Sequence, residues 1–188
     1  MVKRVFIIHG WDGYPEEGWF PWLKKELEKV GFKVEVPLMP EKTYPKIGKW
    51  VPSLTRLVKN VNKDTYFVGH SIGCQTILRY LEKLPEKSKI GGCVFVAGWF
   101  NLKSFETKEE KKIAKPWLET AIKFDKIKKI TKNFVAIFSD NDEFVPIGDS
   151  KIFKNKLGAK IIVEHNKGHF SGSDNVRELP AVLESLLK

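Results

Sequence analysis

The apolar residues of this chain change their period repeatedly from one end to the other. Val5 to Ile8, Tyr66 to Val68, Cys93 to Ala97 and Phe134 to Phe138 are short unbroken apolar runs, the pattern of strands covered on both faces of a sheet. Between them the spacing lengthens. Phe20, Leu23, Leu27 and Val30 recur at three and four residues until Gly31 stops the helix. Leu54, Leu57 and Val58 predict a helix over Ser53 to Val61, and Cys74, Ile77, Leu78 and Leu81 another that ends near Pro85. Phe32 to Val36 and Lys160 to Val163 read as further strands, Ser150 to Leu157 as a short helix, and Val182 to Leu187 as a terminal one. This alternation predicts a mainly parallel sheet with helices on both sides, a three-layer α/β/α sandwich. In such sheets the chemistry collects beyond the carboxyl ends of the strands.

The stretch from Gly98 to Asn133 is the least regular. Lys115-Pro116-Trp117-Leu118 is expected to open a short helix, with Pro116 in a first turn where its missing N–H costs nothing. Residues 98–133 read equally well as a small cap over the strand ends or as an ordinary crossover helix.

Composition narrows the class. With 188 residues and 42% hydrophobic content, residues 1–188 suit a single domain with a full core. The net charge of +10 comes from 33 basic and 23 acidic residues, but only Arg4, Arg56, Arg79 and Arg177 are arginines. The lysines interleave with glutamates, as in Lys24-Lys25-Glu26-Leu27-Glu28-Lys29, which is a solvated helix face rather than a nucleic-acid footprint. The densest basic stretch, Lys103 to Lys132, is the place where an anionic partner would be attracted. Apolar runs fall far short of the roughly 18 residues of a membrane span. Met1 to Arg4 lead straight into the first strand rather than into a signal peptide, and Cys74 and Cys93 sit in core-type positions. A cytoplasmic protein with reduced cysteines is expected.

Candidate chemistry begins at Thr65-Tyr66-Phe67-Val68-Gly69-His70-Ser71-Ile72-Gly73-Cys74. A strand breaks at a glycine, passes Ser71 between two glycines and becomes a helix, the setting in which G-x-S-x-G presents a serine hydroxyl on a sharp bend. Such a serine needs a base, and the base needs a carboxylate to fix its tautomer. Of four histidines, His70 lies inside the bend with its ring expected to point away from the hydroxyl. His9 belongs to the first-strand loop, and His165 ends the last strand or begins its loop. His169, between Gly168 and Phe170, is the choice for the base. Asp140 and Asp142 compete for the acid at the end of one strand. Asp142 is preferred because Phe144, Val145 and Pro146 can anchor its turn, while Asp140 is expected to shape that turn by accepting backbone N–H groups. The N–H groups of Ile72 and Trp11 are the candidate oxyanion donors. His9 and Trp99 are candidates for the substrate pocket, with Trp11 and Trp19 also near strand ends. No C-x-x-C pair, H-E-x-x-H, EF-hand spacing or phosphate-binding glycine loop occurs, so no metal or other cofactor is expected.

Five motifs together resemble the α/β-hydrolase superfamily and, within it, the small serine hydrolases of the retinoblastoma-binding protein nine and YdeN-like family. They are His9-Gly10-Trp11, Trp19-Phe20-Pro21-Trp22-Leu23, Gly69-His70-Ser71-Ile72-Gly73, Ser139-Asp140-Asn141-Asp142-Glu143-Phe144-Val145-Pro146 and Gly168-His169-Phe170. The resemblance implies a compact hydrolase with a reduced cap that lacks the first strands of larger members. It also implies Ser71, Asp142 and His169 as nucleophile, acid and base, with an oxyanion hole at the Trp11 and Ile72 backbone. The L-x-C-x-E motif that binds retinoblastoma protein is absent, so that partner does not carry over. The expected activity is hydrolysis of small carboxylic esters or thioesters. Amidase or peptidase chemistry on the same groups, or a protein-binding module that keeps the fold without the catalysis, are the alternatives.

Overall fold

A computed structural model describes residues 2–105 and 107–188. Six strands form one sheet in the order β2-β1-β3-β4-β5-β6. They are β1 (Arg4–Ile8), β2 (Lys33–Glu35), β3 (Thr65–His70), β4 (Gly92–Val96), β5 (Phe134–Ser139) and β6 (Lys160–Glu164). Every neighbouring pair is parallel, with Ile7 opposite Val68, Gly69 opposite Phe95 and Val96 opposite Ile137 in register. The helices are α1 (Phe20–Lys29), α2 (Ile47–Val58), α3 (Ile72–Leu81), α4 (Lys108–Glu119), α5 (Phe124–Ile130), α6 (Asp149–Ile152) and α7 (Pro180–Leu187). A single π-helical turn, Phe153–Leu157, extends α6.

Period-two alternation in β1 divides the core between the two faces. Val5 and Ile7 join Trp19, Phe20, Leu23, Leu27, Val182 and Leu186, the buried face of α1 and α7. Phe6 and Ile8 point the other way, to Trp50, Leu54, Ile77, Leu78 and Ile127 of α2, α3 and α5. The strand order reverses between β1 and β3, because the chain leaves β1 toward one edge and returns to build the other. A crevice opens at such a reversal, beyond the carboxyl ends of the strands. The turns after β1 and β3 therefore flank it.

Two helices depart from the sequence expectation, both at proline. The helix expected over Ser53 to Val61 starts at Ile47 and carries Pro52 in its interior. Burial of Trp50, Val51, Leu54 and Val58 along one face outweighs the lost N–H. The helix expected to open at Lys115 starts at Lys108, where the Thr107 side chain accepts the Glu110 N–H, and Pro116 falls near its end. Between Gly98 and Asn133 the chain forms α4 and α5. Trp99, Leu102, Ser104, Phe105 and, on α4, Glu110 border the crevice. Trp117 of α4 packs edge-on against Trp50, and α5 leads back into β5 as a crossover helix. Among the described residues no helix is long and apolar enough to cross a membrane.

Candidate active site

Ser71 stands between β3 and α3 with φ 53° and ψ −122°, a conformation L-residues rarely adopt. Such strain costs on the order of 1–3 kcal/mol and persists only where the surroundings enforce it. Here they do. The Ser71 N–H donates to the Val96 carbonyl at 2.9 Å, tying the bend to β4. Strand and helix come so close that a Cβ on Gly73 would lie 2.2 Å from the Ile8 carbonyl oxygen, and one on Gly69 2.7 Å from the Cys74 nitrogen. The glycines at these two positions are therefore steric requirements of the bend.

His169 and Asp142 meet across the ends of β5 and β6. His169 Nδ1 lies 2.8 Å from Asp142 Oδ2. The proton on that nitrogen faces a carboxylate, which leaves Nε2 as the ring's lone pair. The other carboxylate oxygen accepts the N–H groups of Phe144 (2.8 Å) and Val145 (2.9 Å). Burial opposes ionisation of Asp142, but the His169 contact and the two N–H donors outweigh it and hold the carboxyl below its ordinary pKa. The side chains are 14% and 3% exposed, so the acid is screened from water while the base keeps an opening.

The loop bearing His169 is fastened from several directions. Gly168 N–H donates to Asn141 Oδ1, Lys167 N–H to Ser139 Oγ, and His169 N–H to Asp174 Oδ2. His70 Nε2, which must carry the ring proton, donates to the His169 carbonyl at 2.7 Å. Burial, and then the nearby His169 ring, push the His70 pKa down to about 3, so the ring is neutral. Among the described residues His70 Nδ1 has no hydrogen-bond partner, so the ring makes no bond to the Ser71 hydroxyl although it borders the same cleft as Ser71.

Ser71, His169, Trp11, Ile72 and Trp99 border one cleft of about 520 Å³. The Ile72 N–H opens α3 and belongs to the first-turn donors that a helix leaves without an intrahelical acceptor. Ser71 Oγ accepts the Trp99 indole N–H at 3.3 Å and makes no hydrogen bond to His169 in this structure. Of the two residues expected to line a pocket, Trp99 does and His9 does not. His9 is fully buried, with Nδ1 donating to the Gly10 carbonyl at 2.7 Å and Nε2 accepting the Met39 N–H at 2.9 Å. It ties the β1 turn to the loop around Met39, and burial lowers its pKa. Trp19 is also buried, donating to the Phe170 carbonyl from beneath the histidine loop. Asp140 accepts the Asn166 N–H and contacts His165, shaping its turn. Among the described residues no group of three or more His, Cys, Asp or Glu is placed to hold a metal.

Sequence reading missed three contributors. Asp174, in Ser171-Gly172-Ser173-Asp174, had a local signal, since such clusters make side-chain-capped turns. Asp149 accepts the N–H groups of Phe100 and Asn101 and fixes the chain after Trp99. Gln75 donates to the Trp99 carbonyl. The last two bridge distant segments and leave no local trace.

This sheet, its reversal and the serine bend define an α/β-hydrolase fold. A family model described as serine hydrolase matches residues 5–188, and the chain belongs to that family. YdeN of Bacillus subtilis is 32% identical over 186 residues, 99% of this chain and 95% of that protein. The crystal structure of the YdeN gene product superposes with a TM-score of 0.90, covering 99% of this chain and 97% of that one. The serine hydrolase RBBP9 of Rattus norvegicus is 24% identical over 188 residues, 99% of this chain and 96% of its own. Est1E of Butyrivibrio proteoclasticus, solved with ferulic acid bound, shares the fold at 17% identity with a TM-score of 0.73, covering 99% and 90% of the two chains.

Proposed function

We propose that this protein hydrolyses small carboxylic esters or thioesters through an acyl-enzyme on Ser71, with His169 as base and Asp142 as the acid that orients it. The observation that carries the reading is the buried Asp142–His169 contact opening onto the same cleft as the strained serine. In the first step His169 Nε2 takes the hydroxyl proton while Ser71 Oγ forms a bond to the carbonyl carbon. The carbonyl π pair moves to oxygen, where the Trp11 and Ile72 N–H groups receive it. Collapse expels the leaving group, protonated by His169. Water, deprotonated by the same ring, then attacks the acyl-enzyme and returns the serine.

The cleft lining supports an uncharged acyl group. Leu102, Phe105, Phe144 and Trp99 supply apolar surface, whereas the charged lining residues are Asp12, Glu17 and Glu110. No lysine or arginine borders it among the described residues, although the chain carries 33. Among the described residues of that lining, a carboxylate- or phosphate-bearing acyl group would find no lysine or arginine to pair with.

A series of p-nitrophenyl esters graded by acyl length, run beside a p-nitroanilide and a succinyl half-ester, tests this. Short neutral esters should be cleaved, the succinyl ester poorly, and Ser71→Ala should lose activity by a factor on the order of 10⁴ or more. Equal turnover by Ser71→Ala would overturn the assignment, and faster anilide cleavage would change the leaving atom to nitrogen.

A further inference from the structure

Five indole N–H groups have visible acceptors among the described residues. Those of Trp11, Trp19, Trp50 and Trp117 donate to the main-chain carbonyls of Thr43, Phe170, Pro40 and Pro45. This is how a buried tryptophan ordinarily satisfies its polar atom. Trp99 differs. Its N–H donates to Ser71 Oγ at 3.3 Å, and the residue is only 2% exposed.

The Trp99 position is held from both sides. Its carbonyl accepts Gln75 Nε2 at 3.0 Å, and Gln75 Oε1 accepts Arg79 Nη2 at 3.0 Å. Arg79 also donates to the carbonyls of Trp117 and Thr120 at 2.9 Å each, so this buried strut ends on the last turn of α4. Immediately after Trp99, Asp149 takes the N–H groups of Phe100 and Asn101 and the Asn101 side-chain amide. Two residues before it, Ala97 is held at φ 47°. A non-glycine residue in that region costs free energy that the surroundings must supply. The strut, the carboxylate clamp and the strained residue all converge on the segment that carries this indole.

We infer that Trp99 is a hydrogen-bond donor to the nucleophile itself, stabilising negative charge on Ser71 Oγ as that oxygen loses or regains its proton. The inference rests on Ser71 being the nucleophile. A serine hydroxyl has one proton to give and lone pairs to accept with. Because Trp99 occupies a lone pair, the proton stays free for His169 Nε2. As it transfers, electron density rises on Oγ and the indole bond strengthens. When the acyl-enzyme breaks down, the C–Oγ bonding pair returns to Oγ, which takes the proton back from His169. Trp99 again faces the oxygen on which charge appears. The indole transfers nothing in either step. It stands apart from the Trp11 and Ile72 N–H groups, which serve the carbonyl oxygen.

Trp99→Phe keeps an aromatic wall and removes the N–H. We expect kcat for a short p-nitrophenyl ester to fall about tenfold, the worth of one neutral hydrogen bond. KM should stay within about twofold, since the bond gains strength only in the transition state. Inactivation by a saturating fluorophosphonate should slow by a similar factor. Unchanged kcat, or a rise in KM alone, would make Trp99 a pocket wall and overturn the proposal. A second measurement avoids dependence on how the variant folds. In the indole region of a ¹H–¹⁵N spectrum, Ser71→Ala should move one indole N–H signal upfield and leave the others in place. An unchanged set would show that the bond is absent and also overturn the proposal. The two readings fail separately: an active Ser71→Ala removes the nucleophile assignment, whereas an inactive Ser71→Ala beside a fully active Trp99→Phe removes only the role of the indole.

Discussion

Two aspartate–histidine contacts lie side by side at the ends of β5 and β6. His165 Nδ1 is 2.6 Å from Asp140, and His169 Nδ1 is 2.8 Å from Asp142. By distance alone the first is the better pair. Its side chains, however, are 82% and 40% exposed, against 14% and 3% for the second. An exposed pair is screened by water, and its geometry is weakly enforced. Asp142 is instead gripped by two backbone N–H groups, and the His169 carbonyl is held by the buried His70 ring. Of the four residues in these two pairs, His169 alone borders the cleft with Ser71. Burial, anchoring and a cleft shared with Ser71 therefore separate the candidate catalytic pair from a turn that happens to contain the same two residue types.

The widest split between the pairs should appear in rate. His169→Ala is expected to lower kcat/KM for an active ester by a factor on the order of 10³ or more. His165→Ala should leave it within about twofold. Asp142→Asn and Asp140→Asn should divide the same way, because an amide at position 142 can donate to His169 Nδ1 and favour the wrong tautomer. Comparable losses in the two pairs would remove the distinction between them.

A smaller effect tests the anchoring. His70 keeps its neutral form in the folded protein down to about pH 3, whereas an unfolded chain protonates histidine near pH 6.5. Below about pH 6.5 the unfolded state therefore binds more protons, and stability falls as the pH drops toward 3. Above that range this contribution is fully present. From pH 7.5 to pH 4.5 the loss due to His70 should be about 2–3 kcal/mol. His70→Gln, which keeps a side-chain donor, should show a shallower decline in urea midpoint over that interval. Equal slopes would mean that His70 is solvated and does not pin the loop.

Much of this architecture is legible in the sequence because parallel strands buried on both faces must be short and apolar. Their order of appearance also forces crossovers. The candidates Ser71 and Asp142 stand out for a related reason, each following such a run at a turn, whereas His169 follows the partly exposed edge strand β6. Helix boundaries at proline are less so. The helices expected from Ser53 and from Lys115 begin instead at Ile47 and Lys108. Burial of Trp50 and Val51 extends the first ahead of Pro52, and the Thr107 cap with buried Ala114 extends the second ahead of Pro116. His9 shows the limit most clearly. Its position after β1 suggests a pocket residue, yet its acceptor atom is claimed by Met39, thirty residues away in a loop with no periodic signal. The same holds for Trp99, whose partner lies on another strand's turn. Local pattern places a residue at a strand end. Which neighbour its polar atom meets depends on how separate turns pack.

The most direct test of Ser71 as the nucleophile is covalent capture. Treating the protein with a fluorophosphonate and mapping the adduct by peptide mass spectrometry should find a single modification on Ser71, formed far more slowly in His169→Ala and at the wild-type rate in His165→Ala. An adduct that persists undiminished in Ser71→Ala would contradict the account.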